Sequence, residues 1–178
     1  MPNVLILYSR VDGHTLTICQ RLRACIETAG ASASVLEISA CDDETLRAAD
    51  VVIVGASIRY GQHRPCVVEF MRQHQILLQS KPNAFFSVNV VARKPAKNTP
   101  DTNPYLRKLL RRICWRPALL AVFAGRIDYP RCGLFDRHMI RLIMWITRGP
   151  TDLRRAFEFT DWTQVEAFGA QILTSSKA

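Results

Sequence analysis

Short apolar runs rich in Val, Ile, Leu and Phe alternate along the chain with segments of helical period, an order that calls for a parallel sheet covered on both faces. The first run is Val4 to Tyr8. It leads into Ile18, Leu22, Cys25, Ile26 and Ala29, spaced as one helical face, with Gly30 where that helix ends. Further strands are predicted at Ser34 to Ile38, Val51 to Val54, Ala84 to Val88 and Leu119 to Ala124. Pro65 and Pro104 each open a helix, the first burying Val67, Phe70 and Met71 and the second Leu106, Leu109, Leu110 and Ile113. A last helix starts near Asp161 and turns Val165, Phe168 and Ile172 inward. Five strands in this sequence predict an α/β, flavodoxin-like doubly wound five-stranded parallel sheet of order 2-1-3-4-5. The 178 residues suit a single domain of that kind, and no repeat, low-complexity tract or linker divides them.

One segment breaks the alternation. Between strand five and the last helix lie about 30 residues, Ile127 to Ala156, where connections usually need about 2–6. Inside this insert, Leu134 to Arg148 reads as an amphipathic helix. Phe135, Met139, Leu142, Ile143 and Ile146 share one face, and Arg137, Arg141 and Arg148 another. Two readings stand side by side: the apolar face packs on the sheet, or it enters a lipid headgroup boundary while the arginines meet anionic lipid.

Charge bears on the choice of partner. Lys and Arg number 24 against 15 Asp and Glu, a net charge of +9, which suits an anionic partner such as a phosphate-bearing ligand, a membrane surface or nucleic acid. Arg107, Lys108, Arg111 and Arg112 line one helix face, but no nucleic-acid motif accompanies them, so no nucleic-acid partner is expected. The six cysteines form no CxxC pair and read as free thiols rather than metal ligands or a disulfide framework. No apolar run approaches the ~20 residues of a membrane helix, and MPNVLILYSR has no signal-peptide character. A cytosolic protein, or one attached only to a surface, is predicted.

In an open parallel sheet, ligands bind at the carboxyl ends of the strands beside strand one. Ser9-Arg10-Val11-Asp12-Gly13-His14-Thr15 stands there, a small hydroxyl-bearing loop running into a helix N-terminus. Backbone N–H groups and the Ser9 and Thr15 hydroxyls suit a phosphate. Asp12-Gly13 as a plain turn and Thr15 as a plain N-cap fit the same residues. The loop is neither GxGxxG nor a Walker loop, which disfavours dinucleotides and nucleoside triphosphates. After strand three, Gly55-Ala56-Ser57-Ile58-Arg59-Tyr60-Gly61 offers two glycines and a tyrosine for a flat ring. After strand four comes Ser87-Val88-Asn89-Val90-Val91-Ala92-Arg93-Lys94. One phosphate loop and two ring-bordering loops make an FMN site. Arg59 and Arg93 also fit ordinary surface charge.

These residues carry a resemblance. The loop from Ser9 to Thr15, GASIRYG (Gly55 to Gly61), SVNVVARKP (Ser87 to Pro95), Asp128-Tyr129-Pro130-Arg131 and Thr160-Asp161-Trp162 together resemble the quinone-dependent protoporphyrinogen IX dehydrogenases of proteobacteria, a basic branch of the flavodoxin-like fold. The likeness runs from end to end and includes the insert. It implies an FMN enzyme that takes six electrons and six protons from protoporphyrinogen IX and passes the electrons to a membrane quinone. It places the enzyme peripherally on the cytoplasmic face of the inner membrane, with the 134–148 helix toward the anionic surface. The number of chains that assemble stays open.

By the same resemblance the loop from Arg10 to His14 holds the FMN phosphate, flanked by Ser9 and Thr15. Ala56, Ser57, Ile58, Arg59, Tyr60 and Gly61 border the ring system with Ser87, Val88, Asn89, Val90 and Arg93, and Gly125 and Arg126 complete the cofactor site. Arg59, Arg93, Arg126 and Arg131 are the candidate partners of the two porphyrinogen propionates, because guanidinium–carboxylate pairs are directional. No side chain stands out as a general base, although His14 and His63 lie near the site. Two other readings share the fold: an NAD(P)H-dependent quinone reductase, and an electron carrier, which the +9 charge disfavours because such carriers are typically acidic.

Overall fold

A strand buried on both faces needs an unbroken apolar run, and the centre of the sheet is built from three of them. In the computed structural model, which describes residues 1–9 and 13–175, the strands are β1 (Asn3–Tyr8), β2 (Ser32–Glu37), β3 (Val51–Arg59), the two-residue β4 (Gln62–His63), β5 (Asn83–Asn89) and β6 (Leu119–Ala124). The parallel order is β2-β1-β3-β5-β6, with β4 folded back antiparallel on the end of β3. Leaving β4 aside, this is the order expected from the sequence. Register is set by pairs such as Val4 with Ala33 and Val51, Ile53 with Ala84, and Phe86 with Ala121.

Alternation along the strands divides the core into two layers. Val4, Ile6, Ile53 and Phe86 pack with Ile18, Leu22, Phe168 and Ile172 from α1 (His14–Thr28) and α7 (Trp162–Ser175). Leu5, Leu7, Val52, Val54 and Phe85 pack with residues of α2 (Asp43–Ala48), α3 (Pro65–Gln73), α4 (Gln75–Gln79) and α5 (Pro104–Leu110). Pro65 and Pro104 stand at the starts of α3 and α5 as predicted. The short helices α2 and α4 have too few turns to show a period. α2 nevertheless carries a start signal, since Asp42 accepts from Thr45 N at 2.8 Å. Ile113 is buried as expected, but α5 ends at Leu110.

β3 continues five residues past the predicted Val54, so Gly55 to Arg59 is strand rather than loop. Gly55 has a packing role there: a Cβ on it would lie 2.1 Å from Cζ of Phe86, whose ring crosses β3 at that point. The strand then reverses through Tyr60 and Gly61, both at positive φ (49° and 75°), into β4.

The insert is more ordered than a long loop. β7 (Arg126–Asp128) and β8 (Ala156–Glu158) pair antiparallel at its base, Ile127 opposite Phe157, and α6 (Leu134–Ile146) lies between them in sequence. A third small core holds it together: Tyr129 is fully buried with Ile127 and Met144, and Val90, Ile140, Leu153 and Phe157 pack around them. Arg137 donates to the carbonyls of Tyr129, Pro130 and Cys132. The inward face of α6 is therefore Arg137, Ile140 and Met144. Of the predicted face, Met139 is half-buried, while Phe135, Leu142, Ile143 and Ile146, with Leu134 and Trp145 beside them, are 47–77% exposed, which overturns the reading in which that apolar face packs on the sheet. The helix stops at Ile146, two residues short of the predicted Arg148, which takes φ 56° while Gly149 N bonds to Met144 O at 2.7 Å.

Candidate functional site

The ends of β1, β3, β5 and β6 meet at the carboxyl edge of the sheet. At the end of β1, Ser9 is buried, and its N–H bonds to Gly55 O at 3.1 Å. Arg10, Val11 and Asp12 of the predicted phosphate loop lie outside the described residues. Gly13 follows in the left-handed region at φ 82° and starts α1, whose N-terminus no side chain caps among the described residues. Thr15 is buried in the first turn. The first N–H groups of a helix have no intrahelical acceptor, and their partial positive charge favours an anion.

Two hydroxyls mark the same place. Ser9 Oγ and Ser57 Oγ are buried with no hydrogen-bond partner among the described residues. An unsatisfied buried hydroxyl costs about 1–3 kcal/mol, and both would be satisfied by donating to a phosphate held at the start of α1. The residues present therefore fit the phosphate of FMN.

His14 stands beside this cradle but is engaged elsewhere. The Thr160 hydroxyl donates to Ala124 O at 2.8 Å, so its oxygen accepts from His14 Nε2, 2.6 Å away. This fixes the proton on Nε2. Burial holds the His14 pKa below the usual value, Glu158 opposes that, and Arg126 adds to it. The ring also meets Trp162 edge-on at 6.0 Å. His14 thus joins α1 to the start of α7.

Past Ser57, Arg59 and Tyr60 reach the insert. Arg59 Nη2 donates to Asp136 Oδ2 at 3.0 Å and Tyr60 Oη to Asp136 Oδ1 at 2.9 Å. The guanidinium lies 5.3 Å from the centroid of the Tyr60 ring, which is 65% exposed and available to a flat ligand. Ala56 is buried under this edge, Ile58 is half-buried opposite His63, and Gly61 makes the turn.

At the end of β5 a buried polar network replaces apolar packing. His63 Nε2 lies 3.0 Å from Ser87 Oγ, and burial pushes the His63 pKa down to about 4. Asn89 accepts from Ala92 N at 3.1 Å, which shapes the 3-10 turn Val90–Arg93. Asn103 donates to Asn89 Oδ1 and Lys97 O while its own oxygen caps α5. The backbone that would border a ring system, Val88 to Ala92, is fixed from beneath by these groups. Gly125 N bonds to Asn89 O at 3.3 Å, carrying this order to β6.

The four candidate arginines stand in different settings. Arg93 is part-buried against the end of α6, donating to Thr147 Oγ1 (2.7 Å), Thr147 O (3.3 Å) and Val90 O (3.2 Å). Arg126 pairs with Asp128 at 2.9 Å, and Arg131 approaches the same carboxylate at 3.7 Å while remaining 84% exposed in its side chain. Arg59 alone of the four meets the insert through a carboxylate on α6. Asp136 was not singled out from the sequence, and nothing in its local pattern marks it; Asp128 and Thr160 stand in two of the stretches that carry the resemblance, but no role for either is legible there. Asn103 carried a readable sign, an N-cap residue directly before Pro104. Among the described residues no group of His, Cys, Asp and Glu could hold a metal ion, and no helix is long and apolar enough to cross a membrane.

Comparison with known proteins adds to this geometry. The family model described as a flavodoxin domain matches residues 5–154. Over 168 residues the chain is 44% identical to protoporphyrinogen IX dehydrogenase (quinone) of Escherichia coli, covering 94% of this chain and 93% of that one. It is 41% identical over 170 residues to the enzyme of the same name from Leishmania major, covering 95% of this chain and 74% of that one. Among solved structures, a flavodoxin from the domain Archaea aligns over 99% of both chains with a TM-score of 0.54 at 16% identity, which shows a shared fold.

Proposed function

The chain belongs to the flavodoxin-domain family and, within it, to the quinone-dependent protoporphyrinogen IX dehydrogenases, and from that membership we propose that it oxidises protoporphyrinogen IX to protoporphyrin IX with FMN as cofactor and a membrane quinone as electron acceptor. The observation that carries this reading is the pair of buried hydroxyls, Ser9 and Ser57, that have no hydrogen-bond partner among the described residues at the ends of β1 and β3, on a chain 44% identical to an enzyme of that name. Bound there, FMN supplies two-electron redox chemistry, so three rounds account for the six electrons removed.

The chain's own residues do the rest. The first turn of α1 binds and orients the phosphate with the Ser9 and Ser57 hydroxyls. Tyr60 and the turn from Val90 to Arg93 border the ring system, and the network of Ser87, Asn89 and Asn103 keeps that turn in place. His63, neutral at ordinary pH, keeps charge out of the layer beneath. The insert screens the edge from water. Arg59 and Arg126, part-exposed at this edge, suit the propionates of the substrate.

The outward apolar face of α6 suits a lipid surface. It joins six large exposed apolar side chains to a chain of net charge +9, with the exposed Arg141 and Arg148 beside them. Because α6 is tied to Tyr60 and to Arg93, docking by this face brings the cofactor edge near the bilayer that holds the quinone. This reading places the protein peripherally on the cytoplasmic face of the inner membrane.

Anaerobic mixing of the FMN-loaded protein with protoporphyrinogen IX tests the chemistry. Loss of flavin absorbance near ~450 nm, recovered on adding a quinone and accompanied by porphyrin fluorescence, is the expected result. Flavin that stays oxidised under porphyrinogen, yet bleaches with NAD(P)H, rejects it in favour of a quinone reductase. Flotation with anionic liposomes tests the surface: the protein rises with them at low salt, and protein left in the soluble fraction excludes docking.

A further inference from the structure

Two donors on one side of the site converge on a carboxylate that the insert, not the sheet, provides. Arg59 and Tyr60 stand at the end of β3, and each donates to a different oxygen of Asp136 in the first turn of α6. The Asp136 side chain is 20% exposed and that of Arg59 47%, so the pair is reachable from solvent. A guanidinium and a phenol aimed at the two oxygens of one carboxylate form the donor set that any carboxylate ligand would use. The opposite end of α6 is held differently, by Arg93 on Thr147, which involves no carboxylate.

We propose that Arg59 and Tyr60 form a carboxylate subsite whose resident occupant is Asp136, and that a propionate of the substrate displaces it. This rests on the function proposed above. The exchange swaps one carboxylate for another on the same donors. The Arg59 side of the pair is about half exposed, so an incoming carboxylate at high local concentration can reach the guanidinium and compete with Asp136 for it. Once Asp136 is displaced, the first turn of α6 loses its tie to β3 while Thr147 keeps its tie to Arg93. The start of α6, still joined by Arg137 to the carbonyls of Tyr129, Pro130 and Cys132, is then released from β3. Asp136 is in this sense a specificity element, because a macrocycle without a free carboxylate cannot replace it.

The test compares binding of protoporphyrin IX with its dimethyl ester to the FMN-loaded protein, by fluorescence titration. Asp136→Asn keeps the shape and removes the competing charge, so it should bind the diacid about 2–5-fold tighter and leave the ester unchanged. Arg59→Gln and Tyr60→Phe should weaken the diacid alone. In the unaltered protein, amide hydrogen exchange across 134–140 should rise with the diacid and not with the ester, a measurement that needs no variant to fold. Unchanged or weaker diacid binding by Asp136→Asn, or equal exchange with both ligands, overturns the proposal while flavin reduction by protoporphyrinogen still supports the function beneath it. Absence of binding by either macrocycle together with a flavin that stays oxidised overturns both.

Discussion

Arg93 Nη2 lies 2.7 Å from Thr147 Oγ1, and this bond joins the turn after β5 to the end of α6. The same guanidinium reaches Thr147 O and Val90 O, so three acceptors from two segments depend on one side chain. Gly149 leaves room for it, since a Cβ there would lie 3.0 Å from Nη2. Arg93→Ala should cost about 1–3 kcal/mol and expose 147–155 to protease. Arg93→Lys should recover little, because an ammonium cannot reach three acceptors in a plane. Denaturant melts with limited proteolysis measure both.

Ser9 and Ser57 should behave in opposite ways with and without cofactor. Replacing either by Ala removes a buried hydroxyl that has no partner among the described residues, so the cofactor-free protein should be as stable as before or about 1 kcal/mol more stable. FMN should bind about tenfold more weakly, since each hydroxyl donates to a charged group worth more than a neutral acceptor. Thermal melts of the two forms and a flavin fluorescence titration separate the effects. Loss of stability in the cofactor-free form would exclude the assignment.

His63 makes stability depend on pH. Its pKa falls from 6.5 to about 4 on folding, so between those values the unfolded chain binds the proton and the folded chain does not. Stability is full above pH 6.5 and declines as pH drops toward 4, by roughly 3 kcal/mol for this group. The depressed pKa of His14 acts in the same direction. His63→Gln should be less stable at pH 7 and lose stability less steeply on acidification. Urea melts at several pH values give the slope.

Tyr60 occupies a backbone region that bulky residues avoid, at φ 49°, and with Gly61 it forms the pair of left-handed residues typical of a tight hairpin. Asn is the residue best suited to that position. Tyr60→Asn should therefore keep or slightly raise the melting temperature even though the bond to Asp136 is lost. FMN affinity should fall by about tenfold with the loss of the aromatic ring. A melting temperature that falls sharply would show that the phenol, not the ring, matters most here.

The sheet was legible because its central strands are buried on both faces, and continuous apolar runs such as VLIL and VVIV have few other uses. The extension of β3 through Gly55 to Arg59 was not, because GASIR contains a glycine and a serine that read as loop residues. Only the three-dimensional position of the Phe86 ring explains the glycine. Among site residues, Ser9, Ser57 and the start of α1 follow from chain order in such a sheet. Asp136 and Thr160 do not, since each acts on a residue 76 to 146 positions away. The insert helix was visible in its period, but a period cannot tell which arc faces inward when Arg137 is the residue that packs.

The insert leaves and re-enters the sheet at one point. Gly125 O accepts from Phe159 N at 3.1 Å, and β7 and β8 fasten the two chain segments side by side. A cassette clasped at its neck in this way can change in length or content without moving the strand ends beneath it. A short turn joining Asp128 to Ala156 would restore a plain sheet edge. The fold and whatever the cassette touches outside the protein can thus vary separately, and the clasp makes them separable.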